Sequence, residues 1–204
     1  MSDREPSHDI DSKIVAALER MTHVFERELW HAAWQFRLSP TQAQILLHLG
    51  RLQQGCNIQH LSGRFALRHA TLSDSVKALC RRGLLKRQRD AQDGRAVTLT
   101  LTAAGKRVVR ALSPWMQPIQ NQVAAVTPNA KGVVLGFLLE LIARCQAEGL
   151  VPLVPMCTTC VYFEADRYAD PQAPHHCKLL NQPLRLVELR VECPDHQPGL
   201  QRTT

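Results

Sequence analysis

The 204-residue sequence has no run of the 18 or more apolar residues that a membrane-spanning helix needs, which argues against an integral membrane protein. Its first residues, Met1, Ser2, Asp3, Arg4, Glu5 and Pro6, mix charges and lead into no apolar stretch, so no secretory leader is expected and the cytoplasm is the expected location. Also missing are a glycine-rich phosphate loop, a His-Glu-x-x-His pair and a nucleophile elbow, so catalysis is not expected. No internal repeat and no low-complexity tract interrupts the chain. With 45% hydrophobic residues, the chain has enough apolar side chains for a sizeable core. Its length suits one core domain with an appendage, or two small domains.

Charge is unevenly distributed. Residues 37–110 carry fourteen bases against three acids, net +11, while residues 1–36 and 111–204 come to −3 and −1. A polyanion-binding module between two segments with other roles is the simplest reading; a solvated basic face is the bland one. The seven cysteines are Cys56, Cys80, Cys145, Cys157, Cys160, Cys177 and Cys193, and four of them fall in the last 48 residues. An odd count in a chain without a secretory leader points to thiols or metal ligation rather than a disulfide scaffold.

Apolar residues at three- and four-residue steps predict one long helix over 10–36. Ser39 and Pro40 suit the N-cap and first turn of a second helix ending near Gly55. Asn57 is placed to cap a short third helix. A fourth runs from 67–70 to Gly83, with Leu72, Val76 and Leu79 as its buried stripe. Residues 84–89 then read as a strand and 90–94 as a turn. Val97, Leu99 and Leu101 alternate with threonines as in a half-buried strand. Three helices followed by a basic hairpin form a winged helix-turn-helix. Further helices follow over 102–112, after a Ser113-Pro114 and Gln117-Pro118 interruption, and from Thr127-Pro128 to about Gly149. The segment 151–155, with Pro152 and Pro155, reads as a linker into a separate C-terminal module.

A helix-turn-helix lays its second helix in the major groove while flanking elements clamp phosphates. Arg68, His69, Thr71, Ser73, Asp74 and Lys77 are the candidates on the outer faces of that helix. Thr71 and Ser73 suit base edges or phosphates, and Asp74 either accepts from a cytosine amine or pairs within the protein. Arg81, Arg82, Lys86, Arg87 and Arg89 form a cationic run in which Arg87 and Arg89 are phosphate candidates, and Arg95 is the wing-tip candidate.

Residues 10–149 resemble the MarR family of winged-helix repressors. The stretch from Asp90 through Asp93, Gly94 and Arg95 to Leu101-Thr102-Ala103-Ala104-Gly105 is similar to the family's wing signature, Asp-Pro-x-Asp-Arg-Arg followed by a strand ending in Leu-Thr-x-x-Gly. Ala91 stands in place of the proline, Gly94 in place of the first arginine, and Asp74 where the family often has a base. The resemblance implies a homodimer whose first and last helices interleave. It also implies double-stranded DNA as partner, with a pseudopalindromic operator whose half-sites lie about one helical turn apart. Repression is the commoner mode in the family, and a small-molecule effector is possible.

In the tail, Cys157 and Cys160 form a Cys-x2-Cys pair, with Cys177 and Cys193 following at longer intervals. Four thiolates in this pattern suit a tetrahedral cage or a cluster, and a segment of about 50 residues with few large apolar groups needs such a staple. Zinc favours four cysteines but usually shows two short knuckles. Pro194 after Cys193 resembles the end of a ferredoxin-type run, and Tyr162, Phe163, Leu179, Leu180, Leu184 and Leu186 are available as a shield. An iron–sulfur cluster is preferred, with zinc as the alternative. His175, His176 and His196 lie near these cysteines in sequence; four cysteines already complete a shell, so they are read as outer donors or plain surface, with a histidine in place of one cysteine as the alternative. Cys56, Cys80 and Cys145 are placed in helical or near-helical segments; Cys80, beside Leu79, is read as a packing or helix-surface residue, and oxidative sensing through the three is the alternative.

The expected protein is mainly α: a dimerisation helix over 1–36, a winged helix-turn-helix over 37–110, dimerisation helices over 111–150 and a four-cysteine metal or cluster module over 151–204. Its expected role is that of a dimeric repressor sensing redox state or iron through a cluster. The alternative is a regulator with a structural zinc site that answers to a small aromatic ligand. A nucleic-acid protein without sequence preference is disfavoured by the wing and the capped recognition helix.

Overall fold

A computed structural model describes residues 10–52, 54–65, 67–89 and 97–199. The turn expected at 90–94 and the wing-tip residue Arg95 lie outside the described residues. The chain forms two compact units, one of Met1–Ser62 with Leu67–Gln120 and the other of Gly63–Ala66 with Asn121–Thr204.

The first unit opens with α1 (Ile10–Gln35), which buries only Leu29 and Ala33. Helix α2 (Pro40–Arg51) begins in a reciprocal cap: Ser39 Oγ accepts from the Gln42 N–H at 3.2 Å, and Gln42 Oε1 accepts from the Ser39 N–H at 3.2 Å. It buries Ala43, Ile45, Leu46 and Leu49, and stops at Arg51 rather than near Gly55. The reason is that Gly55 has φ +75° and lies against β2, where an added Cβ would come within 2.3 Å of the Leu99 carbonyl oxygen. Asn57 Oδ1 accepts from the His60 N–H at 2.8 Å and caps α3 (Ile58–Phe65).

Helix α4 (His69–Arg81) buries Leu72, Val76 and Leu79. It ends in a Schellman motif on Gly83 at φ +67°: the Leu84 N–H reaches the Leu79 carbonyl and the Gly83 N–H that of Cys80. Strands β1 (Leu85–Arg89) and β2 (Val97–Leu101) pair antiparallel, Leu85 opposite Leu101 and Arg89 opposite Val97. Cys56 bridges the other edge of β2 at Leu99. This corrects the near-helical placing of Cys56: its backbone is extended and belongs to the wing.

Thr102 ends β2 and caps α5 (Ala103–Leu112). Its Oγ1 accepts from the Gly105 N–H at 3.0 Å and donates to the Gly83 carbonyl at 2.6 Å. Gly105 is required by proximity, since a Cβ there would lie 2.1 Å from the Leu84 oxygen. The Pro114 interruption is a short 3-10 turn, Ser113–Met116, before α6 (Gln117–Ala124).

The second unit is built on α7 (Pro128–Ala147), which ends on Gly149 at φ +70° with the Leu150 N–H bonded to the Cys145 carbonyl. The chain beyond it folds back. Leu139 of α7 shares a buried cluster with Met156, Leu184 and Leu189, against which Leu135, Ile142, Phe163 and Leu186 pack. A small antiparallel sheet follows, in the order β3 (Phe163–Glu164), β4 (His175–Cys177), β5 (Gln182–Leu184). The segment 151–155 does not set the tail apart from α7. Buried Gln146 donates its Nε2 to the carbonyls of Pro152 and Val154, at 3.2 and 3.4 Å, and holds that segment against the helix.

Candidate functional site

The outer face of α4 stands clear of the core. Arg68, His69, Thr71, Asp74 and Lys77 are exposed and Ser73 is half-buried, because the 3.6-residue period that buries Leu72, Val76 and Leu79 turns these positions outward. Ser62 Oγ donates to the Leu67 carbonyl at 2.8 Å and ties α3 to the turn before α4. Asp74 is paired within the protein, its Oδ1 3.2 Å from Lys77 Nζ. On the wing, Arg87 is exposed opposite Leu99 in the ladder. Arg89 ends β1 opposite Val97.

The cationic run divides. Arg82 donates from Nη1 to the Arg37 carbonyl and from Nη2 to the Phe36 carbonyl, both at 2.7 Å. It fastens the end of α4 to the turn after α1, where Arg37 sits at φ +52°. Charge alone does not distinguish this latch from its neighbours Arg81 and Arg87.

Cys157, Cys160, Cys177 and Cys193 all border one cavity of about 300 Å³. Each is held by backbone bonds. The Cys157 N–H reaches the Arg190 carbonyl at 3.1 Å, the Cys160 N–H that of Cys157 at 3.0 Å, and the Cys193 N–H that of Pro155 at 2.7 Å, while Cys177 lies opposite Phe163 and Gln182 in the sheet. The Arg190 N–H donates to Cys157 Sγ at 3.2 Å, and Arg190 Nη1 lies 3.9 Å from Cys193 Sγ. Burial pushes the Cys157 thiol up; the Arg190 N–H opposes this, and the nearby sulfurs of Cys193, Cys177 and Cys160 add to it. Although the four cysteines line one cavity, no three of their sulfurs come within 4.8 Å of one another among the described residues.

Of the side chains expected to shield the sulfurs, Tyr162, Phe163, Leu179, Leu180 and Leu184 border the cavity; Leu186 packs on the Leu139 cluster instead. The surface reading of two histidines is corrected. His175 and His176 are buried in β4, because the alternation of so short a strand is overridden by packing on both faces. His176 Nδ1 lies 2.9 Å from Tyr168 Oη, and His175 Nδ1 accepts from the Asp166 N–H at 3.2 Å. His196 Nε2 lies 3.0 Å from Thr159 Oγ1.

One grouping was not expected. His48, Cys56 and His60 bring their ligand atoms within 4.8 Å of one another in the first unit. The signal available in sequence was the Cys56-x3-His60 spacing preceded by His48 on α2.

Residues 38–96 match the sequence profile of the MarR family. The transcriptional regulator AdcR of Streptococcus pneumoniae serotype 2 is 23% identical over 145 residues, which cover 69% of this chain and 98% of that protein. Among solved structures, the MepR–DNA complex of Staphylococcus aureus superposes with a TM-score of 0.57 at 21% identity, over 64% of this chain and 96% of that one. A probable transcriptional regulator from Pseudomonas aeruginosa gives 0.52 at 26% identity, over 65% and 99%. Regulators of the MarR family bind DNA and are not enzymes. Residues 38–96 thus match the MarR family, within a mainly helical winged-helix fold that the chain shares with MepR.

Proposed function

We propose that this chain is a cytoplasmic, dimeric DNA-binding regulator whose C-terminal cysteines hold an iron–sulfur cluster coupled to the dimer helix α7. The observation that carries the reading is that Cys157, Cys160, Cys177 and Cys193 all line one cavity of about 300 Å³. A single zinc ion at about 2.3 Å from four sulfurs draws them to roughly 3.8 Å from one another. A polynuclear cluster binds each cysteine at a different part of its surface and spreads them. One water needs roughly 10–15 Å³ of such space, so the cavity is far larger than a single ion requires. The N–H donors of Arg190 on Cys157 and Cys193 suit anionic sulfur.

DNA binding is supported by the exposed polar face of α4, the basic wing and the match to a family of DNA-binding regulators. MepR, which shares the fold, is solved in complex with DNA. Arg68, His69, Thr71, Ser73 and Lys77 are the proposed contacts on α4, and Arg87, Arg89 and Arg95 those on the wing. Asp74, paired with Lys77, positions that lysine. A homodimer on a pseudopalindromic operator is supported by large apolar side chains left on the surface of α1, such as Trp34 at 67% exposure, and of α7, such as Val133 at 61%. Coupling is supported by Met156, which adjoins Cys157 and is fully buried against the Leu139 cluster of α7. Repression is the mode we assign.

A second reading, an effector-answering regulator with structural zinc, is favoured by another cavity. It measures about 600 Å³ and is bordered by Arg51, Lys86, Lys106 and Arg110, a lining that suits a phenolate or other small acid. Anaerobic purification with iron, sulfide and zinc analysis decides between the two. Visible absorption with matched iron and sulfide, and operator affinity that changes on oxidation, are expected. One zinc per chain, with no cluster after reconstitution, would overturn the cluster reading.

A further inference from the structure

His48, Cys56 and His60 come from three successive elements of the winged-helix unit. His48 lies in the last turn of α2. Cys56 is pinned to β2 by two backbone bonds, its N–H to the Leu99 carbonyl at 3.2 Å and the Leu99 N–H to its own carbonyl at 2.8 Å. His60 lies in the first turn of α3, with its N–H held by Asn57. The imidazoles stack with centroids 5.3 Å apart, their Nε2 atoms are 3.1 Å apart, and the sulfur falls within the same 4.8 Å span.

We infer that these three side chains form a mononuclear site for a transition-metal ion of the zinc class, fastening α2, the inner edge of the wing and α3 together. A tetrahedral zinc with nitrogen at 2.0–2.1 Å and sulfur at 2.3 Å puts its ligands about 3.3–3.6 Å apart. The Nε2 pair is already within a few tenths of an ångström of that edge, and the third ligand closes by side-chain rotation. A hydrogen bond between the two rings accounts for one distance; it does not account for a thiol at the same point. Two histidines and one cysteine are the borderline ligands that suit zinc-class ions, not calcium or magnesium. Three protein ligands leave a fourth position for water, which marks an exchangeable ion rather than a closed structural one. His60 is exposed, so the ion enters from solvent. This site is separate from the tail cysteines and uses none of them.

The test is a cobalt(II) titration of the full-length protein, read as the difference between the parent chain and Cys56→Ser. The tail thiolates are present in both and cancel. One further equivalent of cobalt in the parent is expected, with a thiolate-to-cobalt charge-transfer band that zinc bleaches and that Cys56→Ser lacks. His60→Gln alters an exposed side chain and keeps the test valid if Cys56→Ser folds poorly; it is expected to weaken that equivalent about tenfold or more. Identical stoichiometry and spectra in the parent, Cys56→Ser and His60→Gln would overturn the site. A second readout, a shift in operator affinity with the ion, rests on the DNA-binding reading. Its absence alongside a positive cobalt result would count against DNA coupling and leave the metal site standing.

Discussion

Arg82 and Arg87 carry the same charge five residues apart, yet the fold uses them differently. Arg82 is engaged by two carbonyls of the turn after α1, whereas Arg87 is an exposed side chain of the wing. Arg82→Ala is expected to lower stability by roughly 1 kcal/mol, since the released carbonyls can turn to water; urea unfolding measures it. Arg87→Ala is expected to leave stability within about 0.5 kcal/mol. It should weaken operator binding across sequences and reduce the salt slope of log K by about 1. A reversal of these two phenotypes would refute the division of the cationic run. At Gly105 the constraint is steric. Gly105→Ala puts a Cβ 2.1 Å from the Leu84 oxygen and should cost about 1–3 kcal/mol in the same unfolding assay, although alanine is the better helix former.

Among elements, the joint between α7 and the first cysteine turn has the most consequence. Met156 precedes Cys157 and has no exposed surface, and Leu139 on α7 has none either. Met156→Ala removes the shared contact and is expected to destabilise the C-terminal unit by about 2–5 kcal/mol. It should also loosen the Cys157–Cys160 turn; on the cluster reading proposed above, iron and sulfide retained per chain then fall. Full retention in a destabilised protein would mean that packing on α7 does not support the site. On the cluster reading proposed above, iron removal is the reciprocal experiment: hydrogen exchange along α7 should quicken when iron is stripped.

Taken as a whole molecule, the chain leaves apolar side chains on the surfaces of α1 and α7. Ile10, Val15, Trp30 and Trp34 on α1, and Val133, Val134 and Phe137 on α7, are all exposed in the single chain. Aqueous surfaces rarely carry so many large apolar groups on two helices unless another surface covers them. Phe137→Asp is therefore expected to shift the protein from dimer to monomer in sedimentation equilibrium, and to lower operator affinity at least about tenfold through loss of the second half-site. A dimer that persists unchanged would move the interface elsewhere.

The helices, most of their caps and the two paired strands of the wing were legible in the sequence because their causes are local. Ser39 with Pro40, Asn57, the stripe Leu72–Val76–Leu79, Gly83 and Gly149, and the alternation through Val97, Leu99 and Leu101 each act within a few residues. The cysteine spacing was legible for a similar reason: a Cys-x2-Cys turn is a short-range feature. The tertiary structure decided what depends on distant parts of the chain meeting. It brought Cys56 to Leu99, and so to His48 and His60; it turned Arg82 toward Phe36; it buried His175 and His176 in a strand too short to show its own period; and it laid the tail on Leu139. Apart from the Cys56-x3-His60 spacing, these have no local signal, because a side chain's partners across more than a turn or two are set by which apolar faces pack together.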